Sequence, residues 1–523
     1  MVALQAHDWS RKELIMKINE RVKKAIRNWL EIEEESTNNF IVVKNNDSSQ
    51  SQMFRNEIWY RGNPGELQQF YSQFDDGVNN TSFWAGVATT GINFRKIHTG
   101  LPSLIIDKLV DIVVDDMNDI KITKTLDGEE TDNNPDLERW QAIEEEHDFK
   151  DTVLKEAVRE ALIGDCAFKL AYDPDISEYP IIEVVPGKNI EYVYKRGRIH
   201  EVKFLFPKKV DGKMYAREEI YSKGGVEYKL YDENGKEVTI GNIEFEEGLY
   251  PFEYNKNFML AIPFMIAKSK KFPGRGKGIL EEKEGALDSL DETWSQWIDA
   301  LRDGRTKTYI PDDLIPRDPS TGLLLKPSTF DSRFVGTNSN KQEGAENKIQ
   351  VESPEIKSNE YLETYITALD LVLQGVISPS TLGIDNKKLD NAEAQREKEK
   401  ATLYTRGKII RKLEKIIPQL VNIVLMADDL INNRNTGNYN VSVDFGEYAN
   451  PSFEAQVETI SNARTNKVMS IETAVEELYG DTWTPEEKEA EIERLKNEDS
   501  VREPQFNEFD TPLIETDEEI INE

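Results

Sequence analysis

The chain has 523 residues, with 65 Lys or Arg against 98 Asp or Glu and a formal net charge of −33. Its hydrophobic fraction of 38% lies below the usual 45–50% or so, and its charged fraction of 31% above the usual ~25%, as expected of a multidomain chain with much exposed subunit surface. No apolar run approaches the roughly 18 residues of a membrane span, MVALQAHDWSRKELIMK lacks a signal-peptide core, the lone Cys166 excludes an intrachain disulfide and fits a reducing cytoplasm, and the acidity argues against tight, indiscriminate DNA binding.

From Ser10 to Leu30, Leu14, Ile15, Ile18, Val22, Ile26 and Leu30 share one face of an expected helix with a basic opposite face, which reads as a terminal surface helix. A loop-rich stretch, Glu34 to Gln52, follows. Gly65 to Phe74 and Leu101 to Asp116 read as two further helices, the second with Pro102 near its first turn. Phe149 to Leu162 is another, and Gly164-Asp165 then marks a change of period. From Cys166 to Glu247 apolar and polar residues alternate between Gly, Asp and Asn joints. That pattern predicts an antiparallel β region with a hairpin turn at Glu233 to Lys236.

GRGKG, in the Pro-containing stretch Asn257 to Gly278, tempts a phosphate-loop reading. The G-x-x-x-x-G-K-[ST] pattern is absent, so a Gly-rich hinge with basic residues is expected instead. Ile279 to Asp303 reads as a long amphipathic helix. Leu280, Leu287, Trp294 and Leu301 fall seven apart, with Leu290 and Trp297 between them, which makes a seam for another helix. Glu281, Glu282, Glu284, Asp288, Asp291, Glu292 and Asp299 take other faces, and Lys283 interrupts the early seam. Carboxylates are so abundant that surface solvation is their expected role. Between Thr306 and Ile356 short strands and loops are expected, because Pro311, Pro316, Pro319 and Pro327 forbid a helix.

Leu362, Tyr365, Ile366, Leu369, Val372, Leu373 and Val376 again have the spacing of one helix face. The pattern stops at VISPSTLGIDNKKLDN, where Ser378-Pro379 and Gly383 bar continuation. It restarts at Ala392 and runs through AEAQREKEKATLYTRGKIIRKLEKII. Between Lys387 and Lys415 ten Lys or Arg face five Asp or Glu. On charge alone this is a solvated helix face, with Glu393 and Glu397 beside Arg396 and Lys400. Asn438 to Phe445 alternates like a strand, and Phe453 to Asn466 and Ile471 to Tyr479 read as short helices. Thr484-Pro485 opens one more, with Thr484 as N-cap. Glu498 to Glu523, with ten acids against one Arg, is expected to be disordered.

ISPSTLGID, the loop after it and NAEAQREKEKATLYTR resemble the region that follows the clip in portal proteins of tailed bacteriophages, of the siphophage type from Gram-positive hosts. The resemblance covers most of the chain and is strongest from Tyr361 to Pro418. It implies an α+β portal fold that assembles as a ring. In that scheme residues 1–278 form an N-terminal wing of helices and then antiparallel β structure, 279–303 the first stem helix and 304–357 a small β-containing clip. Residues 358–378 form the second stem helix, 379–391 the channel loop, 392–450 a long wing helix and strand, 451–497 a helical crown, and 498–523 the acidic tail.

The function so implied is a dodecameric conduit at one capsid vertex, through which double-stranded DNA is packaged and ejected. Its partners would be other copies of the chain, the terminase large subunit, a head–tail adaptor, and the major capsid and scaffolding proteins. It would sit in the virion, and in the host cytoplasm during assembly, with no membrane contact. In portals the loop before the long helix projects into the channel; here it contains Asn386, Lys387, Lys388, Leu389 and Asp390. Two adjacent lysines suit passing phosphate and supply no base-reading or stacking surface. Enzymatic chemistry finds little support. His7, His98, His147 and His200 lack metal-ligand spacing, one Cys makes no thiolate metal site, and G-x-S-x-G is absent. No catalytic residue, metal or cofactor is expected. Two alternatives stay open: a Mg²⁺-dependent nuclease or other enzyme of the packaging machinery, and an acidic cytoplasmic scaffold with no DNA role.

Overall fold

The computed structural model describes residues 32–35, 40–43, 48–73, 82–86, 94–123, 135–210, 213–238, 251–254, 258–311, 314–315, 317–322, 334–337, 348–353, 355–384, 392–435, 437–446, 453–465, 468–479 and 483–502. The expected helix Ser10 to Leu30 lies outside them. The chain divides into two units, one of residues 1–388 with 396–448, the other of residues 389–395 with 449–523.

The first unit is a mixture of helices and largely antiparallel sheet, an α+β arrangement. It begins with an antiparallel pair, β1 (Ile32–Glu35) and β2 (Phe40–Val43), then α1 (Ser49–Arg61) and α2 (Pro64–Ser72). The stretch expected to be loop-rich therefore contains two strands and the start of a helix. α1 escaped the periodicity because it buries Ser51, Gln52 and Asn56 beside Phe54, Ile58 and Trp59. Its signals were at the ends. Ser48 caps the N-terminus through Ser51 N–H, and Gly62 closes the C-terminus at φ 65°. Next come α3 (Leu101–Val114), β3 (Lys121–Thr123), α4 (Pro135–His147), a π-helical turn at Phe149–Leu154, and α5 (Lys155–Ile163). α4 was also missed, since Trp140 and Ile143 are its only two buried residues.

The β region splits into two sheets. β4 (Cys166–Ala171), β5 (Ile181–Pro186) and β12 (Ala261–Phe264) form one, in the order β12-β4-β5. The other runs β10-β9-β8-β7-β6 through β6 (Ile190–Lys195), β7 (Arg198–Val210), β8 (Lys213–Ser222), β9 (Gly225–Asp232) and β10 (Glu237–Val238), with β11 (Phe252–Glu253) also on β9. The expected hairpin turn is present between β9 and β10, with Gly235 at φ 71°. Two buried lysines are satisfied in place: Lys203 Nζ is 3.1 Å from Glu218, and Lys169 Nζ is 3.3 Å from Glu219.

The GRGKG stretch is no hinge. Arg275 is buried and forks onto Asp165, Nε donating to Oδ2 at 3.0 Å and Nη2 to Oδ1 at 2.8 Å, while Nη1 donates to Ile190 O at 2.6 Å and Nη2 also to Gly187 O. Gly276 N–H adds a 2.6 Å bond to Asp165 Oδ2. The glycines serve close approach. A Cβ at Gly276 would lie 2.4 Å from Gly164 O, and one at Gly278 2.2 Å from Ile163 O. The motif that imitates a phosphate loop thus locks the end of α5 to β6.

Beside this lock the Glu160 carboxyl is pushed up to about 7, first by burial and then by the neighbouring Glu57 carboxylate, with Lys188 opposing. Its proton is therefore held in the folded chain and already lost from the unfolded chain between pH 4.5 and about 7, so stability falls as pH rises through that window. Glu160→Gln is expected to raise the urea midpoint at pH 8, by about 1–3 kcal/mol in stability, and to change little at pH 4. Equal gains at both pH values would refute the account.

α6 (Glu284–Asp303), a three-stranded module of β13 (Lys307–Pro311), β14 (Phe334–Thr337) and β15 (Gln350–Glu352), and α7 (Ser358–Leu373) follow. β13 pairs with β14 in parallel and with β15 antiparallel. The unit ends with α8 (Ala392–Ile431), forty residues long with Pro418 inside it and counted in this unit from Arg396, and β16 (Asn440–Ser442), paired with β3. Its core gathers Trp59, Trp84, Trp140, Phe54, Phe70, Phe149, Phe168, Phe204 and Phe264, all fully buried.

In the second unit, α9 (Phe453–Thr465), α10 (Ile471–Tyr479) and α11 (Pro485–Arg502) succeed one another. Tyr479 stacks on Trp483 at 3.9 Å. Thr484 and Glu487 exchange the reciprocal bonds of a capping box. α11 continues to Arg502, so the tail expected to be disordered from Glu498 is helical for its first five residues; the remainder lies outside the described residues.

Candidate functional site

The seam read from the sequence brings α6 and α7 together as an antiparallel hairpin. At its far end Thr306 and Ser353 hydroxyls are 2.9 Å apart. Further in, Trp297 stacks on Tyr361 (6.3 Å, 8°) and Trp294 meets Tyr365 at 5.5 Å. At the near end Lys283 Nζ donates to Leu371 O at 2.7 Å and Gln374 O at 2.9 Å. The lysine that interrupts the apolar pattern therefore caps the C-terminal carbonyls of α7, where a cation is favoured.

The expected seam needs two corrections. Leu280 is buried but lies in a turn before α6, because the helix begins at Glu284 rather than Ile279. Leu301 is 43% exposed, since α7 does not reach it. Leu287 and Leu290 are fully buried, and Trp294 and Trp297 are only partly covered. On α7, Leu362 and Ile366, one turn apart, are 44% and 47% exposed. The hairpin thus carries an apolar face that the described residues leave open. Trp294→Ala is expected to lower the thermal midpoint modestly, by about 1–3 kcal/mol because the ring is half-buried, and to shift any oligomer distribution in sedimentation. An unchanged midpoint and distribution would refute the seam.

Surface solvation is the expected role of the acids of α6; three of its polar residues are instead straps. Asp291 is 1% exposed. It accepts from His98 Nδ1 at 2.7 Å, Thr99 N–H at 2.9 Å and Thr99 Oγ1 at 2.9 Å. Asp288 accepts from Ser82 Oγ and Phe83 N–H, and Ser295 Oγ accepts from Ile97 N–H. These positions recur at helical spacing, so one face of α6 holds the entry to α3. Lys96 completes the strap by donating to the carbonyls of Phe83, Trp84 and Gly86, and burial pulls its pKa down.

After α7 the chain turns through Gly375 at φ 74°, then a short 3₁₀ turn at Pro379–Leu382 closed by Gly383 at φ 70°. The turn is pinned to α8 through one hydroxyl. Thr402 Oγ1 accepts from Ser378 N–H at 2.9 Å and lies 2.7 Å from Thr381 Oγ1. Thr402 is fully buried, and nothing in the charge pattern singled it out. The loop residues Asn386, Lys387, Lys388, Leu389 and Asp390 lie outside the described residues. The basic helix is not one solvated face either. Arg406 is buried, donating to Asp116 Oδ2 at 3.1 and 2.8 Å and to Gly446 O. At the other end Asp429 accepts from Arg139 Nη1 at 2.8 Å and Tyr439 OH at 2.6 Å. Lys408, Arg411, Lys412 and Lys415 are exposed.

His98 and Asp291 have the spacing of a base and its orienting acid. The other ring nitrogen, Nε2, is buried without a partner among the described residues, and a Cβ at Gly62 would fall 2.7 Å from the ring. In this structure the pair ties α6 to the entry of α3. The Cys166 thiol, raised well above its ordinary value by burial, donates to Ala157 O. Among the described residues, no group of three or more His, Cys, Asp or Glu could hold a metal ion, and no helix is long and apolar enough to cross a membrane.

No family model matches the sequence, and no curated protein does. A solved chain described as "Virion of native gene transfer agent (GTA) particle" is similar over 85% of this chain and 93% of that one, at 12% identity and a TM-score of 0.35. A likeness that weak carries no argument about fold or function.

Proposed function

We propose that the chain is the repeating subunit of a phage portal, a ring at one capsid vertex through which double-stranded DNA enters and leaves. The observation that supports the reading is the α6–α7 hairpin. It carries a small strand module at its tip and, along its side, an apolar face that the described residues leave open, and it is followed by a pinned turn and, after a short connecting segment, a forty-residue helix. A solitary subunit has no use for that open face, whereas a ring would bury it against the next copy. In this reading α6 and α7 are the stem, β13–β15 the clip, and α9–α11 belong to the crown. The clip would dock the terminase and later the head–tail adaptor.

Negative-stain images of the purified protein test the reading. End-on views of a closed annulus with a central opening are expected, and a particle that stays monomeric or non-annular overturns it. Metal-dependent cleavage of DNA by the pure protein would favour the nuclease alternative. In the same reading Lys387 and Lys388 make sequence-blind phosphate contacts. Lys387→Ala/Lys388→Ala should then leave assembly intact, as loop substitutions change stability by no more than about 0.5 kcal/mol, while altering packaged length or DNA retention. Normal values of both would leave the lysines as simple solvating groups.

A further inference from the structure

α8 has two faces that do different things. Ile409, Leu413, Ile417 and Leu420 are buried on one side. Tyr404, Lys408, Arg411, Lys412 and Lys415 are exposed on the other, within about 100° of arc. Tyr404 is 68% exposed. Among the described residues no ion pair engages these four cations, although the chain as a whole stands at −33. The strip continues to Gln419, about 22 Å from Tyr404 along the helix. Gln419 also lines a groove of about 700 Å³, whose apolar walls include Phe258, Met259, Ile423 and Met426, with Lys223 among the lining residues.

We propose that strip and groove form one docking surface for an acidic polypeptide segment with an apolar tip, supplied by a partner protein. The charge selects the acid, and the groove selects the tip. Glu residues at i and i+4 of a helical segment would match Lys408 with Lys412 and Arg411 with Lys415. The groove falls in the range of about 300–1,000 Å³ usual for ligand pockets, so it has room for an apolar tip. Duplex DNA fits less well on two counts. It has no apolar side chain for the groove, and its charge would extend beyond the strip in a chain whose net charge is −33. A segment as short as the strip stays within it, because fields from charges farther off are screened beyond about 8–10 Å. This surface does not depend on the portal reading.

The test uses the full-length protein and a fluorescein-labelled helical peptide of about 18 residues, with Glu at every fourth position and Leu-Phe at one end. Anisotropy should report binding that weakens about tenfold or more between 0.05 M and 0.3 M salt. A similar loss is expected with K408E/K412E, and again when the Leu-Phe tip is replaced by Ser-Ser. The two lysines are exposed and, among the described residues, unpaired, so the variant should keep the thermal midpoint of the parent. Peptide binding that is undetectable, or equal in parent and variant, overturns the proposal. So does tighter binding of a labelled DNA duplex of about 15 base pairs through the same lysines.

Discussion

Replacing Arg275 by methionine is expected to destabilise the chain by about 3–5 kcal/mol, the usual cost of removing one partner from a buried ion pair. Methionine fills a similar volume, so the loss would be electrostatic and not a cavity effect. What remains is the Asp165 carboxylate, fully buried, with only Gly276 N–H still donating to it among the contacts described for the lock. The carbonyls of Gly187 and Ile190 lose their guanidinium donor at the same time. Arg275→Lys should recover part of the loss, since an ammonium restores the charge but cannot fork. Urea midpoints for the three proteins, measured side by side, decide the matter. If the methionine variant unfolds with the parent, the lock contributes nothing to stability.

Asp291→Ala is expected to cost about 3 kcal/mol or more, because three donors lose one shared acceptor and each buried unsatisfied donor costs about 1–3 kcal/mol. The damage should be local first. His98 lies 5.6 Å from Trp59 and 6.3 Å from Trp84, so loosening of the strap would change tryptophan emission below the main unfolding transition. Asp299→Ala on the same helix makes a fair control. A midpoint and an emission spectrum identical to those of the parent would show that the strap is dispensable.

The parts of this fold that the sequence revealed are those in which one residue type repeats at one period. Leu287, Leu290, Trp294 and Trp297 announced the α6–α7 hairpin, and Leu362 to Val376 announced its partner. The strands between Cys166 and Val238 alternate cleanly enough to be read. α1 stayed hidden because it buries amides and hydroxyls, which break the apolar pattern that a helix search relies on. The lock was misread for a different reason. Arg275 meets Asp165 from 110 positions away, and no local pattern distinguishes a buried arginine between glycines from an exposed one. Asp291 is the same lesson on a helix: among seven acids, the buried one has no mark of its own. The candidate site was legible as an order of elements but not as contacts, since Thr402 bonds across the chain to a turn 24 residues earlier.

That bond at Thr402 also has a mechanical meaning. Thr402, ten residues into α8, takes the turn that follows α7 onto one hydroxyl, so a pull separating that turn from α8 would not be shared evenly along the two helices. It would concentrate where Ser378 and Thr381 meet α8. Two neutral hydrogen bonds, each contributing only about 1 kcal/mol net, join the buried Val376 and Ile377 and the partly buried Leu382 in holding that junction. The polar part of the junction is slight beside the stacked aromatics of α6–α7 and the Arg406–Asp116 pair.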